Sequence, residues 1–359
     1  PRCPILTSFV SSVTRKPRDA GRRPHPLKLL AMLGAPEDAV LRAAQLADLG
    51  LAGVYTFEGP NDPFVPLIRV AGEVDVDLMT NVAIAFPRNP MQLAHLAFDL
   101  QRLAGGRFTL GLGSQIRPHI ERRYGVEFDH PVARMREWVE ALRAIFARWQ
   151  DGTPLDYTGR FTRHTLMTPM FDPGPLPSGP PPIHLGAVGP RMTAMAATVA
   201  DGLLTHPFTS RRFLHEVTFP AIDRSLAEAD RSPSELEIVG QALVAVGVDE
   251  IEQAEADAAV RGMLGFYGST PAYRPVLEAE GWAEAQPELR RLTKEGRWDE
   301  MAALVDDAML ATLAVRGTPA QVATALRERF GERADRVAVT LPYAVRDETL
   351  GALVDAVRG

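Results

Sequence analysis

The chain has 359 residues, 46% hydrophobic and 23% charged, which is enough apolar content for a large core and unlike a disordered or fibrous protein. A formal net charge of −6 argues against general affinity for nucleic acid or anionic membranes, both of which need a basic face. It leaves room for a local anion site made of backbone amides. Cys3 is the only cysteine, so no intramolecular disulfide can form, and no apolar run approaches the length of a membrane span.

Residues 1–26 are rich in Arg, Pro and Ser, with the charge following the weakly apolar part, the reverse of a secretory signal. They read as a flexible leader, and the expected location is cytoplasmic. From residue 27 short apolar runs alternate with amphipathic helices. Residues 27–33 form a strand, Glu37–Leu49 a helix with Val40, Leu41, Ala44 and Ala47 at helical spacing, and Gly50 its C-cap. Gly53–Phe57 is the second strand, followed by a helix opened by Asp62-Pro63 and running to about Glu73. Asp77–Ala85 is the third strand, and Asn89-Pro90 starts the third helix with Asn at N-cap and Pro at N1.

That helix ends at Gly105-Gly106, and Arg107–Leu112 is the fourth strand. A loop of roughly sixteen residues leads to a strongly periodic helix over Val132–Trp149, with Met135, Trp138 and Trp149 on its core face. Four more strands are expected at 182–187, 202–206, 236–247 and 335–341, with helices at 191–200, 211–229 and 346–358. Residues 151–181 hold seven prolines and form an irregular excursion. Residues 250–331 are mostly helical with no clear strand. Both are read as insertions within one domain spanning 27–359. Parallel βαβ units of this kind close into a barrel or lie as a doubly wound open sheet.

In a parallel barrel, chemistry sits in the loops at the C-terminal ends of the strands. The turn Gly186-Ala187-Val188-Gly189-Pro190-Arg191, between a strand and a helix, aims amides and a helix N-terminus at one point, which suits a phosphate. Arg191 adds a charge-assisted fork. After strand four, Gly111-Leu112-Gly113-Ser114-Gln115 lets the backbone approach a flat ligand, or merely allows close packing. Ile116 breaks the Rossmann glycine pattern. The eight histidines show no HxH or HExxH, and there is no G-x-S-x-G, so neither a metal site nor a serine nucleophile is expected. His95 lies inside helix three and reads as packing.

The run TNVAIAFPRNPMQLAHLAFDLQRLAGGRFTLGLGSQ (80–115) resembles the signature stretch of luciferase-like monooxygenases and their F420-dependent relatives. The run GAVGPRMTAMAATVADGLLTHPF (186–208) is similar to that family's later phosphate turn and following strand. The resemblance implies a (β/α)8 TIM barrel and a flavin or deazaflavin cofactor. It places Asn81-Val82 where F420-dependent members carry a non-prolyl cis peptide behind the deazaflavin ring. It puts Ser114 and Gln115 against the ring or its tail, Val188, Gly189 and Arg191 on the phosphate, and Thr205 and His206 beside it. Glu58-Gly59-Pro60-Asn61-Asp62 stands where some members have an Asp-His pair, and Ile116 where they have Glu.

The function implied is F420-dependent hydride transfer to or from a small organic substrate, with Glu58 and His119 as acid–base candidates on the C-terminal-face loops. Arg117, Arg122 and Arg123 face the acidic cofactor tail in this reading. The alternatives are an FMN-dependent monooxygenase and a non-catalytic cofactor-binding protein. No nucleic acid or membrane partner is expected, and a homodimer is plausible for such barrels.

Overall fold

Two-residue periodicity gives each strand one face for the barrel axis and one for the surrounding helices. The computed structural model describes residues 27–359; the leader expected over 1–26 lies outside them. Eight parallel strands, β1 (Lys28–Met32), β2 (Gly53–Thr56), β3 (Asp77–Thr80), β4 (Phe108–Gly113), β5 (Ile183–Gly186), β6 (Gly202–Leu204), β7 (Glu237–Val246) and β8 (Arg336–Thr340), pair in chain order. The β8–β1 pairing closes the ring. This is the barrel, not the open sheet.

Outward residues such as Leu29, Val54, Leu78, Leu110, Leu185, Ala242 and Val337 join the main core. They pack beneath α1 (Ala39–Asp48), α2 (Phe64–Val70), α3 (Pro90–Leu103), α4 (Pro131–Asp151), α5 (Pro190–Val199), α6 (Phe219–Glu228), α7 (Pro319–Phe330) and α8 (Asp347–Arg358). In α4, Met135, Trp138 and Trp149 are all buried, and the His95 ring of α3 lies 4.6 Å from Trp149, as packing. No helix among the described residues is long and apolar enough to cross a membrane.

Inward residues Leu30, Tyr55, Met79, Leu204, Val239 and Ala338 form a separate axial cluster, against which Val82 packs. At the N-terminal end this gives way to charge. Arg336 Nε donates to Glu237 at 2.8 Å, its Nη1 lies 3.6 Å from Asp77, and His184 lies 3.7 Å from Glu237. The strongly polar residues at that end are thus consumed by one another.

Four expectations change. The third strand breaks at Asn81-Val82, whose peptide bond is cis, and resumes as Ala83–Ile84 beside Leu112–Gly113. The loop after β4 contains a short helix, Arg117–Arg122. The helix expected over 211–229 runs on from its Ser210 N-cap but contains a π stretch, Leu214–Thr218, between Arg211–Phe213 and α6; Pro220, which has no N–H to give the preceding turn, follows directly after that altered stretch. Within 250–331, Val315–Gly317 is a strand paired with the end of β7, and α7 beyond it is a barrel helix. A three-residue strand is too short to register against helical periodicity.

The remaining excursion comprises Glu250–Gly268, Arg274–Ala279, Ala285–Glu295, Trp298–Ala303 and Asp307–Leu313. It has its own core of Val260, Leu264, Val276, Leu310 and Leu313, which includes Phe208 and Leu243 from the barrel. That shared core seats it over the C-terminal ends of β6 and β7. Buried Arg329 of α7 clasps it, donating to the carbonyls of Thr312, Leu313 and Ala314 at 2.8, 3.0 and 3.0 Å, the uncapped end of the last helix. Burial lowers its pKa to about 10, so it stays charged at neutral pH.

Glycine is forced at one axial position. A Cβ on Gly111 would collide with the Thr80 carbonyl oxygen and meet Leu204 Cδ1 at 2.9 Å. Gly111→Ala is expected to lower unfolding free energy by about 2 kcal/mol, read from urea denaturation; a loss below about 0.5 kcal/mol would show that the strands part easily there.

Candidate active site

The mouth of the barrel is laid out by residues that follow β2 to β6. The inward faces of β4 and β5 carry Gly111, Gly113 and Gly186 instead of side chains, and Val82 occupies that space. A Cβ on Gly113 would lie 2.6 Å from Val82 Cγ2, and one on Gly186 3.3 Å from Val82 Cγ1. The glycines after strand four therefore serve close packing, and it is Val82, half-buried, that floors the mouth. Beside it, Asn81 is 7% exposed, and neither atom of its carboxamide has a hydrogen-bond partner among the described residues. A buried amide left unpaired costs on the order of 1–3 kcal/mol, so such a group is usually met by a ligand or water.

Glu58 ties this corner together. Its N–H donates to the Val82 carbonyl at 3.1 Å. Its Oε2 accepts from the Ile84 N–H at 2.7 Å and from Arg88 at 2.5 Å, and its Oε1 accepts from the Tyr124 hydroxyl at 2.7 Å. Burial, then the Glu58 carboxylate, raises the Tyr124 pKa to about 12, so the phenol remains a donor. Both Glu58 oxygens are thus engaged by the protein. Arg88 and Tyr124, which the sequence did not single out, complete the web, and no local motif marks either.

The loop after β4 turns at Gln115, whose φ is +57°, and Gln115 Oε1 accepts from the Ile116 N–H at 2.9 Å. Ser114 is half-buried. His119 is exposed on the helix Arg117–Arg122, in the loop after β4. Arg117 pairs with Glu121 at 2.5 Å, and Arg123 donates to the Gly59 carbonyl at 2.7 Å, while Arg122 is exposed.

At the fifth strand the turn has the expected form. Gly189 is the N-cap of α5, no side chain caps that end, Pro190 occupies the first turn, and nothing lies within 4 Å of where a Gly189 Cβ would be. Val188 is half-buried and Arg191 exposed. Thr205 is otherwise employed, its Oγ1 accepting from the Gln241 N–H at 2.9 Å, which staples β6 to β7.

His206 is turned to the helical excursion, its ring 4.9 Å from Tyr267 and 4.2 Å from Tyr273. Both tyrosines lay outside any recognisable motif. His206 Nδ1 accepts from the Phe208 N–H at 3.0 Å, and burial pushes its pKa down to about 3. No group of three or more His, Cys, Asp or Glu among the described residues is arranged to hold a metal ion.

Residues 10–336 match the family model described as luciferase-like monooxygenase. The chain belongs to the luciferase-like monooxygenase family. Members of this family are oxidoreductases and monooxygenases. An uncharacterized protein of Mycobacterium tuberculosis is 46% identical over 91% of this chain and 97% of its own length. A 5,10-methylenetetrahydromethanopterin reductase of Archaeoglobus fulgidus is 30% identical over 67% of this chain and 69% of its own length.

Two solved structures share the luciferase-like barrel. The coenzyme F420 dependent tetrahydromethanopterin reductase of Methanopyrus kandleri aligns with a TM-score of 0.76 at 19% identity, over 92% of this chain and 97% of that one. A type II Baeyer-Villiger monooxygenase of Pseudomonas putida in complex with FMN aligns with a TM-score of 0.65 at 14% identity, over 92% and 98%.

Two outcomes follow from the geometry. Glu58→Gln weakens the pairing with Arg88 and is expected to cost about 1–3 kcal/mol in urea unfolding at pH 7; an unchanged midpoint would leave the web without structural weight. His206 holds its proton less readily folded, near pH 3, than unfolded, near 6.5, so between those values acid favours the unfolded chain. The stability that wild type loses between pH 7 and pH 4 is therefore expected to exceed that lost by His206→Gln, and equal losses would refute it.

Proposed function

We propose that this luciferase-like protein is an F420-dependent oxidoreductase that transfers hydride between the deazaflavin and a small organic substrate. The observation that carries the reading is the buried carboxamide of Asn81, with a donor and an acceptor both unpaired beside the Val82 floor. A flat heterocycle with a polar edge fits such a group, and the uncapped start of α5 behind the turn at Val188 and Gly189 fits its phosphate. Arg191 is free to fold onto that phosphate, while Ser114 and Gln115 border the mouth on the β4 side and exposed Arg122 suits an acidic tail. Kinship with a methanopterin reductase supports deazaflavin over FMN, while the fold is shared with proteins of either kind.

When bound, the deazaflavin supplies the hydride chemistry. The chain's own part is placement. Glu58 acts here as a positioning residue, because with both oxygens engaged it braces Val82 and Ile84 and has no lone proton task. Proton traffic is assigned to the loop after β4, where exposed His119 exchanges with solvent. Thr205 contributes by holding β6 to β7, not by touching the cofactor.

Fluorescence titration of the protein with F420 and, separately, with FMN tests the reading. Saturable binding of F420 is expected, with little or none for FMN. Asn81→Leu should weaken F420 by about tenfold while leaving urea stability equal or higher, since it removes an unsatisfied amide. Binding of FMN alone, or unchanged F420 affinity in Asn81→Leu, would overturn it.

A further inference from the structure

Three neighbouring rings at the mouth carry polar tips without a hydrogen-bond partner among the described residues. His206 Nδ1 is occupied by the Phe208 N–H, which fixes the neutral tautomer with the proton on Nε2. His206 Nε2 and the hydroxyls of Tyr267 and Tyr273 make no hydrogen bond among the described residues, and none of the three is sealed from solvent. The tyrosine rings lie 6.1 Å apart, and Phe208 stands 6.3 and 6.2 Å from them, so the tips emerge from an aromatic wall. Tyr55, whose own pKa is raised chiefly by burial, also feels Tyr267. Since Tyr55 belongs to the axial cluster with Val82, the wall borders the same mouth as the proposed ring site.

We infer that His206, Tyr267 and Tyr273 form the substrate-recognition patch of this site, and that the substrate is an apolar molecule bearing one uncharged oxygen function, a ketone, aldehyde or alcohol. The inference rests on the hydride-transfer reading for what happens to that oxygen's carbon, but not for the binding. The patch offers one fixed N–H donor and two hydroxyls that either give or accept, which matches a carbonyl or hydroxyl oxygen. Aromatic rings supply the apolar area. Burial keeps the imidazole neutral and both phenols protonated, so the three tips bring no positive charge to balance a carboxylate or phosphate. The tautomer makes His206 a hydrogen-bond donor to the substrate oxygen and not a source of its proton.

Calorimetric titration with cyclohexanone and with cyclohexanecarboxylate, on the protein alone and with F420 present, tests this. The ketone is expected to bind at least about tenfold more tightly than the carboxylate, and Tyr267→Phe and Tyr273→Phe each to weaken it about threefold to tenfold. F420 titration should be unchanged in both variants. Independently of any variant, ¹⁵N spectra of the wild-type protein should show His206 protonated at Nε2, with that resonance moved by the ketone. Equal or tighter binding of the carboxylate, binding of neither probe, or full ketone affinity in both phenylalanine variants would overturn the inference. Ketone binding without F420 binding would sink the cofactor reading and leave this one standing; F420 binding without ketone binding would do the reverse.

Discussion

The mouth of this barrel depends on a missing volume. In the axial layer to which six strands send Leu30, Tyr55, Met79, Leu204, Val239 and Ala338, β4 and the end of β5 offer only Gly111, Gly113 and Gly186, and the Thr80 carbonyl and Val82 side chain move into the space. Any Cβ on Gly111 or Gly113 would push the end of β3 outward. Asn81 would then leave its buried position, and the short strand Ala83–Ile84 would lose its register with Leu112–Gly113. The shape of the candidate site is thus set by close packing between neighbouring strands, with a tolerance of a few tenths of an ångström.

Charge is distributed so that each end of the barrel has a separate task. At the N-terminal end Arg336, Glu237, Asp77 and His184 satisfy one another, which plugs the barrel without leaving a reactive group. At the C-terminal end the one buried carboxylate of the β2 loop, Glu58, is neutralised by Arg88 and Tyr124. Among the described residues, the Asn81 amide, the His206 N–H and two phenols stand there without protein partners, and all are neutral, while the cations Arg122 and Arg191 are exposed. A neutral, partly aromatic mouth suits chemistry in which the cofactor carries the electrons and the protein supplies orientation.

The helical excursion after β7 turns this general barrel into a particular one. It shares Phe208 and Leu243 with the barrel core and is clasped by Arg329, and its tyrosines pack against that shared core. The clasp works through carbonyls at a helix end, which makes it insensitive to the sequence of the residues it holds.

Most strand and helix positions, the Asn89-Pro90 helix start, the core face of α4 and the turn at Gly189 were legible in the chain. Each depends on residues near one another in sequence, through periodicity, capping or the absence of a Cβ. Closure into a barrel and membership of the family were legible only through resemblance, since alternating βαβ units fit an open sheet equally well. The bracing of Glu58 by Arg88 and Tyr124, the diversion of Thr205 to β7, and the meeting of His206 with Tyr267 and Tyr273 were decided by the tertiary structure alone. Those partners lie 30 to 67 residues apart, and no local rule of spacing connects side chains that only strand closure brings together.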